Sequence, residues 1–216
     1  MPKRELITRL FQTVPTAERR NEGEEEIGVI HGLPVVFNSR TSLAYFDEII
    51  EPNAVDGKTD MSDIRLCLNH DTSYVYARSR RTSAHNTMTH SILPDGVHMD
   101  AELAIGKSAR HADAYTAVER GDITGMSFMF AVDDEEWEDL DTDHPLRRIK
   151  HISYIAEFSL CPFPAYEATN VEIDARSKDA LESARSAAEA TRQQSRMAES
   201  AELELLKAKT MILGGK

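Results

Sequence analysis

Gly121-Asp122-Ile123-Thr124-Gly125-Met126-Ser127-Phe128-Met129-Phe130 is the stretch from which the fold is read. Upstream, Lys107 to Arg120 carries Ala109, Ala112, Tyr115, Ala117 and Val118. Ser108 stands where an N-cap belongs and Gly121 just past the end, so the pattern predicts a helix with its stop signals in place. From Ile123 to Val132 the residues turn bulky and apolar, which predicts a strand. Strand alternation puts Met126, Phe128 and Phe130 on one face and Ser127 with Met129 on the other. The reading is a helix, a tight turn, and a core strand that shows a serine to its opposite face.

Working outward, Thr87–Ile92 and Val97–Ala101 flank Pro94-Asp95-Gly96 and predict a hairpin. Ile64 to Asn69 is a short strand that delivers His70-Asp71 at its end, and Tyr74 to Thr82 is extended again. Ile149 to Cys161 is a further strand, closed by Pro162 and Pro164. Ile27 to Phe37 is one long bent strand or two short ones, interrupted by Gly32 and Pro34, and Tyr45 to Ile50 is extended up to Pro52. The acidic run Asp133–Asp143 around Trp137 reads as a solvated loop or strand edge. The expected class is mostly β with interposed helices, a largely antiparallel barrel or curled sheet.

Residues 1–24 are polar and read as a flexible N-terminal arm or short helix; residues 25–175 form the expected domain. Residues 176–216 form a helical, low-complexity C-terminal extension. Between Ser177 and Lys209 there is neither Gly nor Pro. Its apolar spacing is poor, with Leu181, Ala184 and Ala188 followed by Thr191 and Ser195, so a marginal helix that orders only when bound is expected.

The 216 residues suffice for one core-bearing domain plus an extension. The net charge of −12 argues against a nucleic-acid partner, which calls for a basic face. No run approaches a membrane span, and Met1–Arg20 lacks the apolar stretch of a signal peptide, so residence in the host cytoplasm is expected. Cys67 and Cys161 lie far apart in apolar runs and read as small buried hydrophobes. His85, His90 and His98 cluster with no carboxylate in the predicted hairpin, and no metal or cofactor is expected.

Two places can carry chemistry: the strand-end His70 and the strand-borne Ser127. Each has an ordinary structural reading, as a loop histidine and as a solvent-face serine. The glycines around Ser127 are not spaced as in the nucleophile elbow GxSxG.

The pieces Gly32 with Val36-Phe37, Phe46-Asp47-Glu48, Asn69-His70-Asp71, Gly121 with Gly125-Met126-Ser127-Phe128, and Glu157-Phe158-Ser159-Leu160 with Pro164-Ala165-Tyr166 occur in a specific order and spacing. Together they resemble the prohead protease family of tailed bacteriophages, in particular the subgroup accompanying HK-type capsid proteins. That family is distantly similar to the herpesvirus maturation protease, assemblin. The resemblance implies a seven-stranded antiparallel barrel decorated with helices, with Ser127 as nucleophile and His70 as base. It implies a serine endopeptidase that is packaged inside the prohead and cleaves the scaffolding segment of the major capsid protein, and itself. In assemblins a second histidine orients the base. Here the comparable strand offers Glu157, with His151 and Asp71 as alternatives. Assemblins supply oxyanion donors from a loop with paired arginines. This chain has Pro164-Ala165-Tyr166 there, which leaves the backbone N–H of Ala165 or Tyr166. The resemblance also gives the C-terminal helix a scaffold to dock on and makes Lys207 or Lys209 a self-cleavage position. Assemblins act as dimers, so a homo-oligomer is possible. The rival from another class is a non-enzymatic scaffold protein that uses its barrel for docking.

Overall fold

A computed structural model describes residues 5–23, 25–162 and 171–213. Two sheets share one core. The first has the order β1 (Ile7–Phe11), β10 (Gly125–Glu138), β11 (Leu146–Cys161), β5 (Asp47–Ile50), β4 (Arg40–Ser42). In the same sheet β6 (Asp63–Leu68) also pairs with β11, and β7 (Ala77–Arg80) pairs with β6. The second sheet runs β2 (Thr16–Glu22), β3 (Glu25–Val36), β9 (Gly96–Leu103), β8 (Met88–Leu93) and is antiparallel throughout. Helix α1 (Ala109–Glu119) lies against β2, β3 and β9.

The expected closed antiparallel barrel does not form among the described residues. The first sheet is mixed, because β11 takes β5 in parallel along Leu146–Ile149 and β6 in parallel along Glu157–Leu160. A sixteen-residue strand is long enough to seat two short partners end to end on one edge, and β10 fills its other edge.

The local readings hold well around Ser127. Ser108 caps α1 by accepting from the His111 N–H, and Gly121 follows with φ 78°, the left-handed turn that glycine takes without strain. Met126, Phe128 and Phe130 are fully buried, and the last two rings stack at 4.2 Å. The hairpin at Pro94-Asp95 pairs Leu93 with Gly96. β3 is one bent strand, its bend a bulge where Leu33-Pro34 oppose the single residue His98, so Pro34 has no ladder donor to supply.

Two expectations are corrected, and the acidic run resolves to the strand-edge alternative of its two readings. The N-terminal residues are not an arm: β1 joins β10, and β2 forms the charged edge of the second sheet. The acidic run is strand as far as Glu138, because the basic start of β11 lies across from it. Asp133 meets His151, Glu135 meets Arg147, and Glu138 meets Arg148. The first half of the C-terminal helix α2 (Val171–Leu213) packs on the chain's own domain. Ser177 and Leu181 are buried, Arg185 donates to the carbonyls of Leu140 and Thr142, and Arg192 pairs with Asp141. These anchors replace the regular apolar spacing that the helix lacks.

Gly32 sets the distance between the sheets. A Cβ there would stand 2.1 Å from the Met126 sulfur and 3.2 Å from the Met99 methyl, both in the core. Gly32→Ala is expected to lower the unfolding free energy by about 1–3 kcal/mol through overpacking, read as a reduced urea midpoint at unchanged slope.

Candidate functional site

Three adjacent strands bring the site together by register alone. Ser127 on β10 pairs with Ser159 on β11, and Ser159 pairs with Cys67 on β6; Met129 pairs with Glu157 one step along. Residues paired across neighbouring strands point to the same face. Ser127, Ser159, Cys67 and Glu157 therefore share the face opposite the Phe128–Phe158 core layer.

His70 reaches this face through an abrupt turn at the end of β6. Asn69 and His70 both have positive φ, 51° and 60°. For residues with a Cβ this left-handed conformation costs roughly 1–2 kcal/mol each. The turn is held by the Asn69 N–H on the Leu160 carbonyl at 3.0 Å, the His70 N–H on Ser159 Oγ at 2.9 Å, and the Asp71 N–H on the Leu68 carbonyl at 3.0 Å. The imidazole is thereby folded back under β11.

His70 Nε2 lies 2.7 Å from Ser127 Oγ, and Nδ1 makes a short hydrogen bond with Glu157 Oε1. The second carboxylate oxygen accepts from Ser159 Oγ at 2.9 Å. Glu157 as a carboxylate only accepts, so the shared hydrogen sits on Nδ1 and leaves the Nε2 lone pair facing the serine. Glu157 is 2% exposed, and burying a carboxyl group is costly unless its oxygens are hydrogen-bonded, as both are here. Ser127 Oγ also lies 2.8 Å from the Arg9 carbonyl of β1, so its single hydrogen has two acceptors. A serine, an imidazole and a buried carboxylate in this order form the arrangement that turns a hydroxyl into a nucleophile at neutral pH.

The other sequence candidates lie elsewhere. His151 is six residues from Glu157, about 20 Å along an extended strand. It bonds Asp133 Oδ1 at 2.5 Å and Asp56 Oδ1 at 3.3 Å, and these carboxylates raise its pKa. Asp71 is exposed and accepts from the backbone and hydroxyl of Ser73. Ala165 and Tyr166 lie outside the described residues. Lys207 and Lys209 are exposed but sit within α2, with Lys207 paired to Glu204. Both cysteines are buried and free. Burial, reinforced by the nearby Glu157 charge, pushes each thiol up to about 12, so neither competes as a nucleophile. His98 does have a carboxylate partner, Asp95 at 2.9 Å. Among the described residues no group of His, Cys, Asp and Glu is placed to hold a metal ion, and no helix is long and apolar enough to cross a membrane.

A cleft of about 1050 Å³ opens beside the imidazole. Thr8 and Arg9 of β1, Met129 and Val132 of β10, and Ala180 and Ala184 of α2 are among its walls.

Two residues that sequence reasoning passed over support the site. Arg9, placed in the supposed arm, is 5% exposed and clamps Glu48 with Nε at 2.5 Å and Nη2 at 2.8 Å. Arg147 Nη1 donates to Glu48 Oε2 as well, at 3.0 Å. Ser159, otherwise just a small residue in an apolar strand, ties the His70 turn to the Glu157 carboxylate. The apolar residues Ile7, Leu10 and Phe11 around Arg9, and the charged Asp47-Glu48 opening an apolar strand, were the available signals.

A mostly β fold that brings a serine, an imidazole and a buried carboxylate into hydrogen-bond contact has the geometry that serine hydrolases use. The comparison of sequences narrows it: the chain belongs to the caudovirus prohead serine protease family, whose family model matches residues 15–184. Membership makes it a protease of bacteriophage capsid maturation, with capsid protein as substrate within the prohead. No curated protein and no solved structure matches the chain.

The clamp on Glu48 makes a pH prediction. Burial works to raise its pKa, but the Arg9 and Arg147 charges overcome this and hold the carboxyl below its ordinary 4.5. A lowered folded pKa adds stability above the unfolded value, and that stability fades as pH falls through the folded value. Resistance to unfolding by urea should therefore fall progressively below about pH 4.5. Glu48→Gln should cost about 3–5 kcal/mol at pH 7, by leaving the buried Arg9 guanidinium without its carboxylate while Arg147 keeps only Glu135. The variant should also lose this part of the acid dependence.

Proposed function

We propose that the chain is a serine endopeptidase in which Ser127 is the nucleophile, His70 the general base and Glu157 the group that orients and stabilises the imidazolium. The observation that carries this reading is the 2.7 Å approach of His70 Nε2 to Ser127 Oγ with Glu157 on the opposite ring nitrogen. In the first half-reaction Oγ attacks the scissile carbonyl carbon as its hydrogen passes to Nε2. Collapse of the tetrahedral intermediate breaks the C–N bond, and Nε2–H protonates the departing amine. Water then repeats the sequence against the acyl-enzyme, returning the hydrogen to Ser127. Glu157 keeps Nδ1 protonated throughout and meets the positive ring with a nearby negative charge.

Ser127 is 1% exposed and lies under β1, so substrate comes to it from the cleft on the His70 side. The backbone N–H groups of Ala165 or Tyr166 are the proposed oxyanion donors. The substrate we propose is the scaffolding segment of the major capsid protein, inside the immature shell. The projecting part of α2 carries exposed Met197, Leu203, Leu205 and Leu206, which suits a helix that docks on scaffold. Self-cleavage after Lys207 or Lys209 is part of the same proposal. It requires the last turns of α2 to unwind, since a peptide bond is attacked in an extended conformation.

Co-expression with the cognate capsid protein, followed by N-terminal sequencing of the product, tests the reading. Cleavage is expected with the native chain. Ser127→Ala and His70→Ala should lower it by about a thousandfold or more, and Glu157→Gln by a comparable amount. A capsid protein still processed by Ser127→Ala, together with no labelling of native Ser127 by a fluorophosphonate, would leave a non-enzymatic assembly module. Identical C-terminal masses for the native chain and Ser127→Ala would remove self-cleavage from the reading.

A further inference from the structure

We propose that Ser159 is a positioning residue of the catalytic array, acting on His70 through both its backbone and its carboxylate partner. The inference rests on the assignment of Ser127, His70 and Glu157 made above. Ser159 is fully buried, and its hydroxyl sits at the centre of the site without touching the serine nucleophile's oxygen. It accepts from the His70 N–H at 2.9 Å and donates to Glu157 Oε2 at 2.9 Å. One donor and one acceptor are used, each in a definite sense, so the hydroxyl has a single orientation.

Each bond solves a separate problem. The N–H it receives belongs to a residue at φ 60°, which is costly for an imidazole-bearing residue and needs outside support. Without an acceptor that N–H would be a buried orphan, and the turn that aims the ring would lose a tether. The hydrogen it gives fixes the far oxygen of Glu157, so that the near oxygen is held toward Nδ1. A carboxylate free to rotate would trade the two oxygens and blur the imidazole's direction. The cross-strand pairing of Ser127 with Ser159 puts both effects at the level of the nucleophile. A small residue suffices to pack that position; a hydroxyl is needed to bridge it.

Fluorophosphonate inactivation of the full-length protein is the test, because its rate reports activation of Ser127 with no need of the capsid substrate. Ser159→Ala and the near-isosteric Ser159→Cys are both expected to lower kinact by about tenfold or more, with KI within about twofold of native. Ser159→Thr, which keeps the hydroxyl, is expected to recover at least half of the lost rate on a logarithmic scale, about threefold or more. In proton NMR the far-downfield resonance of the hydrogen between His70 and Glu157 should weaken or vanish in the Ala and Cys variants and persist in Thr. Native kinact in Ser159→Cys, or an unchanged downfield resonance in both variants, overturns the proposal. If native protein is not labelled at all, or Ser127→Ala is labelled equally, it is the assignment of the catalytic array that fails. Because Ser159→Cys fills the position that Ser159→Ala leaves empty, a folding defect in Ser159→Ala does not decide the result.

Discussion

The parallel seating of β6 on the last third of β11 is the constraint on which the site depends. Four paired residues, Arg65–Leu68 against Glu157–Leu160, fix where β6 ends. Leu66, Leu68, Phe158 and Leu160 turn toward the core, and Leu66, Phe158 and Leu160 are fully buried, so the register is set by packing. A slip by one residue would send this apolar row to the other face, at a cost of a few kcal/mol per large side chain. The same slip would move the His70 turn away from Ser159 and Glu157. Catalytic geometry is thus secured by hydrophobic burial on the reverse side of the sheet.

The charged half of the first sheet works by complementarity. The acidic end of β10 faces the basic start of β11, and the Arg9–Glu48–Arg147 group ties β1 and β5 to that same strand. Exposed cross-strand pairs contribute only tenths of a kcal/mol each. The buried trio is different in kind, since removing Glu48 leaves the Arg9 guanidinium without its carboxylate in a medium that penalises lone charge. It also holds in place the backbone carbonyl that shares the Ser127 hydrogen.

Much of this was legible in the residues. The capped helix, its glycine stop, the serine-bearing strand and the Pro94-Asp95 hairpin follow from local chemistry, which operates over a few residues. Ser127 and His70 stood out through resemblance more than through pattern, and Glu157 through the expense of a carboxylate among apolar neighbours. What stayed hidden was non-local. β1 looked like a polar arm because Arg9 is charged, and its partner Glu48 lies 39 residues away. The parallel pairings of β11 leave no periodic trace, so an all-antiparallel barrel was the natural expectation. Ser159 carried no signal, since a small residue between Phe158 and Leu160 is fully accounted for by packing until the His70 turn is seen to rest on it.

The order of these strands along the chain sets a timing on folding. β1 finds its ladder partner, β10, more than a hundred residues later, and the His70 turn waits for Glu157 and Ser159, 87 and 89 residues downstream. Contacts of such separation close late and slowly, because a large loop must lose its entropy before any contact rewards it. During synthesis the chain therefore exposes its serine before it has a competent base. The serine, the imidazole and the carboxylate meet only when β11 is laid between strands that were made earlier.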